Sequence, residues 1–332
     1  MSMDLLRGMV RPVLALALGS ALLVHPVSAD TTIIVGKAAA TADPIIAVNV
    51  GDQLGFFKKR GIDLKIVDFT GGGKMTQAMT AGSIDIGDGA GTEMAFTAKG
   101  VPMLAVCENT STLPFLSIGV PWDSALKSKE ELKGRKIGVS TAGSLTDWLA
   151  QELARKEGWA PDAITRVTIG NGTSSSTAAF RDHLIDADIG GTSTFLAMAE
   201  KQIGRVLVPV SDYEGANASG VLFASNRLIE TNPGALRAFL AGWLETTAFI
   251  RTHKAETVKI ESGVTGFPES VMSKEYDIVI SMFTKDCKFD AESLATLRRS
   301  FVELNLLSAA PDMTTLYTES FLPETPGAEA QH

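Results

Sequence analysis

The chain is poor in the residues that most enzyme chemistry uses. Of its 332 residues two are cysteine and four are histidine, aromatics make up 7%, and the formal net charge is −8. No Cys-x-x-Cys or Cys/His cluster offers metal-ligand spacing. Cys107 and Cys287 stand far apart with no spacing signature, so two separately buried thiols are expected, with pairing open in an oxidising compartment. His25 and His332 lie near the ends, while His183 and His253 stand alone. The absence of a basic, aromatic-interleaved patch sets aside DNA, RNA and anionic membrane surfaces as partners.

The longest apolar run, Val13 to Val24, falls short of the roughly 20 residues that a bilayer-spanning helix needs. Arg7 and Arg11 precede it and Val27-Ser28-Ala29 follow it, the pattern of a secretory signal peptide. Cleavage is expected after Ala29, with an uncleaved anchor as the alternative, and the segment has no cysteine for a lipid anchor. The mature chain would be periplasmic, with no direct membrane insertion. Removing Arg7, Arg11 and Asp4 leaves 28 basic and 37 acidic residues over 303 positions, a net charge of −9. That length buries one large core or two adjoining ones.

What the chain has is a repeated pattern. The stretch Ile33 to Gly87 is echoed 103 positions later by Lys136 to Gly190, pairing Ile34 with Ile137, Gly55 with Gly158, and Asp85-Ile86-Gly87 with Asp188-Ile189-Gly190. Each unit reads as short apolar strands alternating with glycine-terminated helices, which predicts an α/β fold with a parallel sheet in each unit. Ser144 and Asp147 fit a capping box, and Leu145, Trp148, Leu149 and Leu153 fall on one helical face. Phe115 to Val120 and Val221 to Ser225 flank the second unit and read as crossings between two lobes. A helical run follows, with a core stripe of Leu236, Phe239, Leu240, Trp243, Leu244 and Ile250 that is expected to pack on the first lobe. From Pro323 onward the chain reads as a loose tail.

In open α/β sheets ligands bind beyond the carboxyl ends of the strands. The turns at 37 to 44, 70 to 74 and 88 to 93 would therefore face those at 140 to 146, 170 to 176 and 190 to 194 across a cleft. Both sets are rich in Gly, Ser and Thr, which let backbone N–H groups approach a ligand, and helix N-termini there favour an anionic group. The plainer reading is that small residues make tight turns and caps.

Three stretches carry a family resemblance: Gly55-Phe56-Phe57-Lys58-Lys59-Arg60-Gly61-Ile62-Asp63, Ala81-Gly82-Ser83-Ile84-Asp85, and Glu131 to Val139 through Gly143-Ser144. They resemble the nitrate/sulfonate/taurine group of ABC-importer solute-binding proteins, the SsuA/THI5-like or NMT1 family. The resemblance implies a bilobal periplasmic-binding-protein fold (type II), two α/β lobes with two crossover strands. After a signal segment at 1–29, lobe 1 would span 30–115 plus 225–332 and lobe 2 would span 116–224. It also implies a monomer that captures a small-molecule solute and delivers it to an ABC permease in the inner membrane, without a cofactor. The family's usual contacts fall on Thr41 and Asp43, Gly72 and Gly73, and Gly91 and Thr92. In the far lobe they fall on Thr141, Gly143 and Ser144, Asn171 and Gly172, and Thr192 and Ser193.

Glu93 departs from what an anion site wants, since a carboxylate repels an anion bound beside it. It reads as a dipole-stabilising first-turn acid paired with Lys74. In the alternative it holds an amine while Ser144, Thr141 or Lys37 holds a sulfonate or carboxylate, which a zwitterion such as taurine would satisfy. Lys37 also reads as a solvated strand-end charge, and Trp148 as core packing or as a stacking surface for an aromatic solute. The function expected is non-catalytic capture of a small polar or anionic organic solute, sulfonate- or taurine-like. The alternative is a THI5-like pyrimidine-precursor enzyme or a pyrimidine-binding relative. Against the enzyme stand the missing cysteine-rich motif and cleft histidine, and Ser144 has no G-x-S-x-G setting. A solute-sensing partner of a membrane receptor would use the same cleft.

Overall fold

The computed structural model describes residues 30–41 and 44–324. The signal segment, Asp43 and the end of the tail lie outside the described residues. The first unit runs β1 (Thr31–Lys37), α1 (Ala47–Gln53), β2 (Ile62–Asp68), α2 (Gly72–Thr80), β3 (Ile86–Gly89), α3 (Met94–Ala98) and β4 (Met103–Thr110). The second runs β5 (Leu116–Pro121), β6 (Lys136–Val139), α4 (Leu145–Lys156), β7 (Thr165–Thr168), α5 (Thr173–Arg181), β8 (Ala187–Gly191), α6 (Thr192–Glu200) and β9 (Gly204–Pro209). Then come β10 (Gly220–Ser225), α7 (Asn226–Thr231), α8 (Pro233–Ile250), α9 (Lys254–Thr265), α10 (Glu269–Val279) and α11 (Ala291–Glu303).

The described strands form two five-stranded sheets, in the orders β2-β1-β3-β10-β4 and β7-β6-β8-β5-β9. The two orders are the same pattern, so the echo in the sequence is an echo of topology. Neither sheet is wholly parallel, contrary to expectation. β10 runs antiparallel between β3 and β4, and β5 runs antiparallel between β8 and β9. The two segments read as crossings are thus sheet strands, and the chain passes between sheets within 111–115 and 210–219.

The residue pairing of the echo also slips. Asp85 accepts from the Ile34 amide through Oδ2 at 2.9 Å and donates its own amide back to the Ile34 carbonyl. The equivalent lock in the second sheet joins Asp186 to Lys136, with Lys136 N to Asp186 Oδ2 at 2.8 Å. Asp85 therefore corresponds to Asp186, and Asp188 stands where the first sheet has a glycine, as the ladders Gly36–Gly87 and Gly138–Asp188 show. A constant offset hides this because the two units differ in loop length by one or two residues.

The helices form where apolar periodicity and caps coincide. Ser144 Oγ accepts from the Asp147 amide at the start of α4, and Leu145, Trp148, Leu149 and Leu153 are buried beneath it. Asn232 caps α8, Pro233 opens it, and its buried stripe packs on α1, with Phe239 stacked on Phe57 at 5.1 Å between centroids. Fully burying each such side chain contributes about 1.5–3 kcal/mol. The C-terminal helices also reach the second lobe: α10 packs on α6, where Glu275 Oε1 accepts from the Ser193 amide at 2.9 Å. On the opposite side Trp148 Nε1 donates to Glu303 Oε2 at 3.1 Å.

Cys107 and Cys287 are joined in a disulfide, where separate thiols were expected. Tertiary structure brings them together. The segment at 283–287 lies along the edge of β4, with the Thr284 amide on the Asn109 carbonyl and the Glu108 amide on the Cys287 carbonyl. Replacing both cysteines by serine is expected to cost about 2–5 kcal/mol, seen as a lower Tm in thermal denaturation. An unchanged melt would show that the bridge adds no stability.

Candidate functional site

The carboxyl ends of β1, β3, β6, β7 and β8 converge on one cavity between the sheets, in which about 100 Å³ is open to the centre of a water molecule. A single water needs roughly 10–15 Å³ on this measure, so the space suits a solute of a few heavy atoms. The first lobe lines it with Ala38, Ala39, Thr41, Gly72, Ala90 and Glu93, and the second with Ser140, Ser144, Thr146, Asn171, Ser176 and Asp188. Phe115, Leu145 and Ile189 supply apolar wall, and Ser219 reaches in from the second crossing.

The lobes touch around this space. Asn171 Nδ2 approaches the Ala38 carbonyl at 3.4 Å. Gly71, at φ 139°, lies so close to Thr141 that a Cβ there would stand 2.9 Å from its methyl group. Further out, Arg299 on α11 donates to Glu152 on α4 at 3.2 Å. The conformation is closed.

Four helices of nine residues or more present their first turns to the cavity: α2 through Gly72, α4 through Ser144, α5 through Gly172 and α6 through Gly191 and Thr194. Ser140, Ser144 and Thr146 form a buried hydroxyl cluster at the start of α4, with Oγ to Oγ 2.9 Å between the two serines. Hydroxyls and helix N-termini together suit an anionic or acceptor group.

The carboxyls work the other way. Glu93 is 4% exposed, and its Oε2 accepts from the Ala90 amide at 3.0 Å and the Thr92 hydroxyl at 3.2 Å. Burial pushes its pKa up to about 7 against the pull of these bonds. Asp188 is 3% exposed, accepts from Ser176 Oγ at 2.5 Å, and is pushed up to about 7 by the same desolvation. No lysine, arginine or histidine is among the described residues that line the cavity. Gly72 makes the room: a Cβ there would fall 1.4 Å from Glu93 Oε1.

Of the residues singled out in the sequence, Thr41, Gly72, Glu93, Ser144, Asn171 and Gly172 line the cavity. Gly73, Gly91, Thr92, Thr141, Gly143, Thr192 and Ser193 are outside its lining. Thr192 bonds Ser117 instead, and Gly91 donates its amide to Ala218. Lys37 is a correction. It is 1% exposed rather than solvated and does not line the cavity. Its Nζ ties down the first turn through Asp68 at 3.0 Å, Asn49 at 2.8 Å and the Ala40 carbonyl at 3.2 Å. Glu93 forms no ion pair with Lys74; it turns inward to its own turn. Trp148 is core, fully buried. Asp188 with Ser176 was missed, although an acid in the middle of a buried strand is itself a signal.

The model of the NMT1/THI5-like family matches residues 44–257. The chain belongs to that family. Over 296 residues this NMT1/THI5-like protein is 23% identical to the 4-amino-5-hydroxymethyl-2-methylpyrimidine phosphate synthase THI11 of Saccharomyces cerevisiae, covering 83% of this chain and 84% of that one. The alkanesulfonate-binding protein SsuA from Xanthomonas axonopodis pv. citri, solved bound to MOPS, superposes with a TM-score of 0.72 at 20% identity over 85% of this chain and 94% of that one. The periplasmic aliphatic sulphonate binding protein SsuA from Escherichia coli gives 0.69 at 20% identity over 91% and 96%. The fold is that of the periplasmic binding proteins.

Carboxyls whose folded pKa lies above the unfolded value hold extra protons in the folded state. Their contribution favours folding at low pH and is lost as pH rises from about 4 to about 7. The Tm of the unliganded NMT1/THI5-like protein is therefore expected to rise as pH is lowered from 8 to 5.5, with Asp188→Asn flattening the trend. A steeper trend in that variant would contradict the assignment.

Proposed function

We propose that this protein is the solute-binding component of an ABC importer, working in the periplasm as a monomer. It closes two lobes, 30–115 with 225–332 and 116–224, on a small polar or anionic organic solute of the sulfonate or taurine kind and delivers it to a membrane permease. The observation that carries this reading is the cavity itself, small, walled by both sheets and fed by four helix N-termini beside a hydroxyl cluster. A sulfonate oxygen would take hydroxyl and amide donors there, while a short carbon chain would lie against Phe115, Leu145 and Ile189. The likeness in fold to two sulfonate-binding proteins supports the same solute class. Among the described residues no helix is long and apolar enough to cross a membrane.

Micromolar binding needs about −8 kcal/mol, which a few charge-assisted hydrogen bonds in a desolvated cleft supply. Contacts made to both lobes at once favour the closed form, because a solute stabilises whichever state it binds better. We read the site as binding without chemistry.

The yeast synthase favours a second reading, a pyrimidine as the solute or product. Incubating the protein with candidate solutes and looking for turnover by mass spectrometry separates the two.

Ser144→Asp tests the anionic end of the site. Aspartate keeps the helix cap, but a carboxyl buried here without a cation carries a desolvation cost, so the Tm should fall somewhat while the fold is kept. Sulfonate affinity should fall at least tenfold in calorimetry. Equal affinity in the variant would remove Ser144 from the site.

A further inference from the structure

We propose that the solute carries a protonated amine, and that Glu93 and Asp188, one from each lobe, are its receptors. This rests on the solute-binding reading above and narrows it.

Elsewhere in the chain several acids have cationic partners. Asp85 is paired with Arg227, Asp147 with Arg166, Glu152 with Arg155 and Arg299, and Asp68 with Lys37. Among the described residues Glu93 and Asp188 have no cationic partner, although they are more than nine-tenths buried. Glu108 and Asp88 are other buried acids without an ion pair among the described residues; Glu108 accepts from the Asp290 amide at 2.8 Å, Asp88 has the Lys37 charge acting on it, and both lie outside the cavity lining.

The two cavity acids each leave an oxygen open. Glu93 uses Oε2 for Ala90 and Thr92, and Asp188 uses Oδ2 for Ser176. No hydrogen bond from another described residue reaches Glu93 Oε1 or Asp188 Oδ1. An ionised carboxylate is costly to bury without a partner, and the lining supplies no cationic side chain. An ammonium group supplies the missing charge together with three donors, enough for both open oxygens and one hydroxyl. Because the acids come from opposite lobes, the same group would hold the closed form together.

The geometry also divides the solute in two. The acceptor end faces Ser140, Ser144 and the helix N-termini, and the donor end faces the acids. A solute with only a sulfonate gains the first set and meets two carboxyls with nothing to offer them.

Calorimetry on the chain from Asp30 onward with four probes of one size tests both halves: taurine, isethionate, ethanolamine and ethylene glycol. Taurine is expected to bind at least tenfold more tightly than isethionate, and ethanolamine more tightly than ethylene glycol. Glu93→Gln and Asp188→Asn are near-isosteric and should each erase the amine preference while leaving isethionate unchanged or tighter. Either variant that melts as the parent does is sufficient for the comparison. Isethionate binding as tightly as taurine, or an amine preference that survives both variants, overturns the proposal while leaving a sulfonate-binding protein in place. Ethanolamine matching taurine supports the amine assignment and removes the sulfonate end instead. Heat from none of the four counts against both readings.

Discussion

The structure depends on its two crossings between sheets. The second sheet is built wholly from the chain between the crossings, beginning with the antiparallel β5, and the second crossing returns β10 antiparallel between β3 and β4, so the first sheet is incomplete until the chain has come back. The crossings are also bonded to each other: the Asn217 amide donates to the Ser111 carbonyl and Ser219 Oγ to the Thr112 carbonyl at 2.6 Å. These two short, paired segments are the natural hinge between the lobes. One of them touches the site directly, since Ser219 lines the cavity and the Ala218 carbonyl accepts the Gly91 amide from the loop after β3.

Against that hinge the cavity acids act as a bias. Burying a carboxylate without a counter-charge costs free energy, and the cavity lining holds two such groups. Burial raises the pKa of each, and the proposed amine would supply the counter-charge. The contacts on the α11 side offset part of this cost. Glu152, wholly buried, gathers Arg155 from its own helix and Arg299 from α11, and the Arg299 guanidinium lies over the Trp148 ring at 5.8 Å. This network closes on charges already neutralised, so it stabilises the closed form without favouring any solute.

Much of the fold was legible in the residues because local rules and the global fold agree. Strand alternation, glycine stops and the caps at Ser144 and Asn232 located the elements, and the echo announced two like sheets. What escaped was whatever depends on register or on contacts between distant segments. The Asp-Ile-Gly echo pointed to Asp188 as the counterpart of Asp85, whereas the ladder gives that role to Asp186, and Asp188 is free to be something else. Lys37 at a strand end looks like a charge in water until Asn49 and Asp68 cover it. The disulfide belongs to the same class, since 180 positions of sequence say nothing about 4.5 Å between Cα atoms.

The slip in register has a functional side. If Asp188 were the structural twin of Asp85, it would lock a strand end through the backbone, as Asp85 and Asp186 both do. Placed two residues further along, in β8 on the ladder beside Gly138, it accepts from Ser176 and, among the described residues, from no backbone amide. The glycine opposite leaves the space an acid there occupies, since a Cβ on Gly138 would stand 2.9 Å from Asp188 Oδ1. The first sheet has glycine at the equivalent place and instead brings its acid from the turn after β3, where Gly72 makes room for Glu93. Two units of one topology thus put a carboxyl into the same cavity by different routes. Glu93 also caps its own turn, yet among the described residues neither it nor Asp188 forms an ion pair, so a charge brought by a solute is what the proposed site leaves room for.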